Sequence, residues 1–131
     1  MARFALGLAL FVFLAANHPA AAENASLEEA KAEMVLGSAD APVTMIEYSS
    51  LSCPHCASFH RDTLPKIKKT YIDAGKVKLV YRDFPLDSLA LAGAMIARCA
   101  GKEKYFGLIE VLFRSQQTWT RAQNPKLELE R

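Results

Sequence analysis

Two cysteines separated by two residues, Cys53-Pro54-His55-Cys56, are the part of this 131-residue sequence best suited to chemistry. Thiols at that spacing can close to a disulfide, reopen, and pass two electrons to or from another dithiol. Val43 to Tyr48, VTMIEY, is short, apolar and β-branched, and predicts a buried strand leading up to the pair. Cys53 then stands as N-cap and Pro54 as first residue of a helix whose apolar stripe runs through Cys56, Phe59, Ile67 and Tyr71. The Cys53 sulfur would face unpaired backbone N–H groups and the positive end of the helix dipole, which favour its thiolate. Cys53 is therefore expected to be the exposed, attacked sulfur. Cys56, one turn further on, is expected to be more buried and to close the disulfide or resolve a mixed disulfide. Pro54 lacks an N–H and fixes φ, while His55 can bring a positive charge or a donor near Cys53, so both tune the couple. A stabilised thiolate favours the reduced form and makes the disulfide a stronger oxidant.

Other uses of the pair have to be weighed. A structural disulfide across so small a loop gains little chain entropy. A metal site needs four donors, and after residue 22 His55, His60 and Cys99 are the only further soft ligands, with no second cysteine pair. Neither a metal nor a bound cofactor is expected; the Cys53–Cys56 disulfide is itself the redox group. His60 reads as a partly exposed helix residue. Glu47 shares a strand face with Val43 and Met45, which predicts a carboxyl beneath the cysteine-bearing helix. A buried acid is costly, so Glu47 is read either as a proton carrier for Cys56 or as an outward-facing or salt-bridged residue. Cys99 reads as a packed free thiol or as one whose partner lies beyond residue 131.

The elements that must position this motif are set by pattern. Pro65 falls inside the cysteine-bearing helix and predicts a kink near Arg61 to Leu64. Asp73-Ala74-Gly75 ends that helix, and Val77 to Tyr81 is a second strand, parallel to the first in a right-handed βαβ unit that occupies residues 43–85. Residues 23–42 form an arm with a possible edge strand at Met34-Val35-Leu36. Helices alone come after Pro85. Ser88 caps a run from Leu89 to Ala100 whose apolar face is Ala92, Met95, Ile96 and Cys99, and Gly101 closes it. A second run, Glu103 to Phe113, carries Tyr105, Phe106, Ile109, Leu112 and Phe113 at helical spacing. Residues 86–131 thus read as a helical insertion. Asn124-Pro125 opens one more helix that the sequence leaves within two turns, so the chain is expected to be the front part of a longer protein.

Composition narrows the class. Sixteen Lys plus Arg against 14 Asp plus Glu give a net charge of +2, with 51% hydrophobic residues, as in a single globular domain. No basic cluster of the kind that binds nucleic acid is present. Arg3, the uncharged run Phe4 to Ala16 and the small residues Ala20 and Ala22 have the order of a secretory signal over residues 1–22. The run is too short to cross about 30 Å of hydrocarbon, and no later run is longer and as apolar. The mature chain is expected to begin at Glu23, to be soluble rather than membrane-spanning, and to work in an oxidising compartment.

These residues resemble the DsbA family of periplasmic thiol-disulfide oxidoreductases, within the thioredoxin-like superfamily. Cys53-Pro54-His55-Cys56 looks like that family's redox motif, IEYSSLSCPHC resembles its strand and approach, and Glu47, six residues before Cys53, matches its buried acid. The resemblance covers Val43 to Arg131. It implies an α/β thioredoxin-like fold with a helical insertion, incomplete here because the strand after a cis-proline, its hairpin partner and the final helix have no counterpart. It implies an exported enzyme of the periplasm that introduces disulfides into substrate proteins with free thiols, through a mixed disulfide at Cys53. A quinone-linked membrane protein would reoxidise the pair. A reductase or isomerase of the same fold, a metal-binding module and an inactive fragment are the alternatives.

Overall fold

The structure, a computed structural model, describes residues 24–129. Strands β1 (Met34–Leu36), β2 (Val43–Ser49) and β3 (Val77–Asp83) form one sheet in the order β1-β3-β2. β2 and β3 are parallel over their whole length, from Val43 opposite Val77 to Ser49 opposite Asp83, and β1 runs antiparallel on the far side of β3. A short helix α1 (Leu27–Lys31), closed by a capping box between Ser26 and Glu29, precedes the sheet.

The crossover between β2 and β3 is one continuous helical run with two widened turns. It comprises α2 (Pro54–Ser58), a π-helical turn (Phe59–Thr63), α3 (Leu64–Ile67) and a second π-helical turn (Lys68–Ile72). Pro65 has no N–H and its ring crowds the carbonyl one turn back. The chain answers by widening: the Leu64 N–H reaches back to the Phe59 carbonyl, and the irregular turn lies where the sequence predicts a kink. The extra residue in that turn rotates the side chains after Ser58, and His60 becomes buried.

Two expectations about burial are corrected. β2 is an edge strand, with Val43, Ile46 and Tyr48 exposed by 54%, 47% and 60%, while the central strand is β3, where Leu79, Val80 and Tyr81 are buried. An apolar run of this length fits an edge or a centre equally, because its composition reports β-propensity rather than the number of neighbours. The second correction concerns α4 (Ser88–Cys99). Its N-cap is Asp87, whose carboxylate accepts from the Ala90 N–H at 2.7 Å, and its buried face is Ala90, Gly93, Ala94 and Ala97. Ala92, Met95, Ile96 and Cys99 do not form that face; Met95 and Cys99 are exposed, and Cys99 is a free thiol. Small residues win because they let the helix come close: a Cβ on Gly93 would lie 3.0 Å from Leu51 Cδ1.

The remaining helices close the core. α5 (Lys102–Arg114) buries Tyr105, Ile109, Leu112 and Phe113 as its spacing predicts. α6 (Gln116–Thr120), which the pattern does not announce, buries Gln116 and Trp119, with the indole N–H donating to the Leu112 carbonyl at 2.8 Å. α7 (Pro125–Leu129) packs Leu129 against the same core, so tertiary contact supports a helix that local propensity alone would not. Arg98 ties the layers together, binding Asp83 at the end of β3 at 2.6 Å and the Ala30 and Ala32 carbonyls of the arm. The signal-like segment, residues 1–22, lies outside the described residues. Among those described, no helix is long and apolar enough to cross a membrane.

Candidate active site

The cysteine pair sits at the carboxyl end of the sheet, where a parallel α/β unit opens its strand-to-helix turn. A tight turn delivers it: the Cys53 N–H donates to the Ser50 carbonyl at 3.0 Å, and Ser50 Oγ accepts from the N–H groups of Ser52 and Leu86. Cys53 has extended backbone angles and caps α2, its Sγ accepting from the Cys56 N–H at 3.4 Å, with Pro54 at the first helical position. Both cysteines are free thiols here and both are half-buried.

Their acidities are pushed apart. The Cys53 thiol is held below its ordinary range, first by hydrogen bonding from the Cys56 side chain and, against an opposing effect of burial, by the backbone N–H groups of Cys56 and His55. Burial pushes the Cys56 thiol up, partly offset by the Ser49 hydroxyl. Pro54 and His55 lie beside them, His55 exposed and reaching Cys53 through its backbone N–H.

Glu47 lies beneath the helix, as its strand position predicts, and its partner is His60, a residue whose sequence context suggests a partly exposed position. His60 Nε2 is 2.8 Å from Glu47 Oε1, with side-chain exposures of 5% and 12%. The imidazole stacks on Phe113 at 4.2 Å and meets Phe59 and Tyr81 edge-on. No local signal marks His60 as inward-facing, because its direction depends on the widened turn before Pro65. Glu47 Oε2, Ser49 Oγ and the Tyr81 hydroxyl are buried and make no hydrogen bond within the described residues.

Gln116 is a second residue that sequence reasoning misses. Its Nε2 donates to the Leu51 carbonyl at 2.7 Å and the Cys53 carbonyl at 2.9 Å, fastening the helical insertion to the cysteine turn. Nothing local in the sequence could announce a contact between segments so far apart in the chain. Gln116→Ala strands the Leu51 carbonyl in a buried setting and is expected to cost about 1–3 kcal/mol of stability, read from the urea midpoint. A loss below about 0.5 kcal/mol, the scale of ordinary surface changes, would show that the clamp is idle.

Next to Pro54 a groove of about 280 Å³ opens between the cysteine-bearing helix and α5–α6, lined in part by Ala57, Ser58, Arg61, Arg114 and Gln117. Among the described residues no group of three His, Cys, Asp or Glu side chains is placed to hold a metal ion.

A parallel βαβ unit with a thiolate-favouring cysteine at the helix start, a more buried cysteine one turn on, and a helical layer after the second strand of that unit defines a dithiol protein of thioredoxin-like fold. The chain belongs to the thioredoxin family: that family's model matches residues 29–130. Its solved neighbours include DsbA proteins. The crystal structure of alpha-DsbA1 from Wolbachia pipientis superposes with a TM-score of 0.68 at 42% identity, covering 75% of this chain and 50% of that one. A Rickettsia bellii protein named as a protein-disulfide oxidoreductase is 36% identical over 67% of this chain and 34% of its own length. Disulfide bond formation protein D of Bacillus subtilis is 47% identical over 39% of this chain and 23% of its own. The chain thus spans about a third or less of the two curated relatives and half of the solved one.

Proposed function

We propose that this chain carries the working site of an exported thiol-disulfide oxidoreductase that introduces disulfides into substrate proteins. The observation that carries the reading is the opposed acidity of the two thiols at one helix start. A substrate thiolate attacks Cys53 Sγ of the Cys53–Cys56 disulfide, and Cys56 leaves with the electron pair. Burial disfavours the Cys56 thiolate, so it takes up a proton, and Glu47 beneath it is the proton carrier. A second substrate thiolate then attacks the substrate sulfur of the mixed disulfide and expels Cys53 as a thiolate. Two electrons have passed to the cysteine pair, one substrate proton's equivalent rests on Cys56, and the other is released to solvent. Pro54 and His55 flank the attacked sulfur and tune it. No metal or bound cofactor enters these steps. A membrane-bound partner of the quinone-linked kind that the DsbA resemblance implies would restore the disulfide, and the signal-like residues 1–22 support a periplasmic location.

The test uses the chain with Cys99→Ser, so that only the motif carries thiols. With Cys56→Ser added, incubation with an excess of a protein carrying an activated single thiol should leave a stable mixed disulfide at Cys53 and no turnover. With Cys53→Ser, no adduct should form at the motif. Equilibration of the intact pair with glutathione should give a potential well above about −270 mV, the value of a reducing thioredoxin. A potential at or below that value would overturn the oxidase direction in favour of a reductase.

A further inference from the structure

We propose that Ser49 and Tyr81 form a two-hydroxyl relay that carries the proton between the Cys56 thiol and the Glu47–His60 pair. The inference rests on the reading that Cys56 is the leaving and resolving sulfur.

Register puts the parts together. Glu47 and Ser49 are two apart on β2 and share a face, and Tyr81 is the residue of β3 directly opposite Glu47. Ser49 is 3% exposed and Tyr81 is fully buried, yet neither hydroxyl, nor Glu47 Oε2, makes a hydrogen bond within the described residues. Each such group costs the fold its lost hydration, and an alanine and a phenylalanine would fill the same places without that cost. Ser49 interacts with both the Cys56 thiol and the Tyr81 hydroxyl, although it closes a full hydrogen bond with neither. Glu47 and Cys56 in turn act on Tyr81 as neighbouring charges.

The other ionisable groups nearby are already engaged. Asp83, next along the same face of β3, is held by Arg98 at 2.6 Å and by the Tyr105 hydroxyl at 3.0 Å. From the helical run His60 is bonded to the other oxygen of Glu47. The unpartnered Oε2 therefore marks the open end of the route. Hydroxyls donate and accept at once, so a proton can enter one side of each as another leaves. As Cys56 leaves, Ser49 donates to its sulfur, Tyr81 donates to Ser49, and the Glu47–His60 pair donates to Tyr81 and is reprotonated by solvent. When Cys56 attacks, the same steps run backwards. Burial raises the Tyr81 hydroxyl so far that it conducts the proton without storing the charge.

The experiment measures release of glutathione from its mixed disulfide with Cys53, in the Cys99→Ser chain, as a function of pH. Tyr81→Phe is expected to slow release about ten-fold or more near pH 6, an effect of general acid–base size, with the gap closing as hydroxide takes over at alkaline pH. Its Cys53 alkylation profile should be unchanged, and its Tm should rise by about 4 °C because an unsatisfied hydroxyl is gone. Ser49→Ala should slow release in the same pH range, and it serves alone if Tyr81→Phe does not fold. In a serial relay the double variant is no slower than the slower single. Equal release rates at all pH values, multiplicative losses in the double variant, or a matching shift of Cys53 alkylation would each overturn the relay while leaving Cys56 as resolving sulfur. Retention of glutathione by the Tyr81- and Ser49-containing chain would overturn both the relay and the reading beneath it.

Discussion

Reduced protein carrying Cys99→Ser is expected to be alkylated at Cys53 with a midpoint well below that of a small free thiol, which lies at about 8.5, and at Cys56 only above it. The order comes from the two environments. Cys53 caps a helix and receives the Cys56 side chain and two backbone N–H groups, whereas Cys56 is pushed up chiefly by burial. Peptide mapping after alkylation at each pH reads both residues in one experiment. The same shifts fix how the stability of the reduced form depends on pH. A thiol lowered by folding stabilises the native state fully above the unfolded pKa of about 8.5, and that contribution is lost as pH falls through the folded value. A thiol raised by folding contributes fully below about 8.5 and loses that contribution as pH rises through its folded value. Relative to a chain with both cysteines replaced by alanine, reduced-form stability should therefore rise toward about pH 8.5 and fall beyond it. Alkylation of Cys53 at or above the free-thiol midpoint would remove the basis of the oxidase reading. Cys56→Ala should move the Cys53 midpoint upward, because it removes the leading stabilising side chain.

The sequence discloses the features that local physics decides. The cysteine cap, Pro54 at the first helical position, the parallel strands and the apolar spacing of α5 each depend on a few adjacent residues, and each is present. The losses occur where the answer depends on distant partners. Periodicity cannot tell that β2 stands at the edge, since exposure of Ile46 and Tyr48 depends on whether another strand or layer covers them. Weighing bulk misjudges the buried face of α4: Met95 and Ile96 carry more apolar surface, but only Gly93 and its alanine neighbours allow approach to Leu51. His60 misleads because a widened turn, forced by the proline at position 65, rotates it inward. Strand alternation places Glu47 correctly, yet it cannot name the partner. Around the cysteine pair, then, the placement of the two thiols is legible and that of the residues packed about them, His60, Ser49, Tyr81 and Gln116, is not.

Removing either member of the Glu47–His60 pair is expected to be the most damaging single change to stability. Both side chains are largely withdrawn from water, and the 2.8 Å contact is the hydrogen bond that joins them. Glu47→Ala leaves a buried imidazole without its partner, and His60→Ala leaves a buried carboxyl with neither oxygen engaged and empties the stacking position on Phe113. Breaking a buried pair from one side costs about 3–5 kcal/mol, which in a domain of this size lowers Tm by about 12 °C or more. Replacing both partners with apolar residues of similar volume should behave differently. Glu47→Met with His60→Phe keeps an aromatic ring against Phe113 and leaves no orphaned polar group at either position, so stability should return to within about 1–2 kcal/mol of the starting chain. Thermal and urea unfolding of the two single variants and the double closes the cycle. Release of glutathione from Cys53 in the double variant should stay slow near pH 6 although its fold is restored, because the proton that Cys56 must give up before it attacks no longer has a carrier. That separation of stability from exchange is the decisive feature. Single losses below about 1 kcal/mol would mark the pair as an ordinary solvated contact, and full exchange in the stable double variant would show that Cys56 gives its proton to water directly.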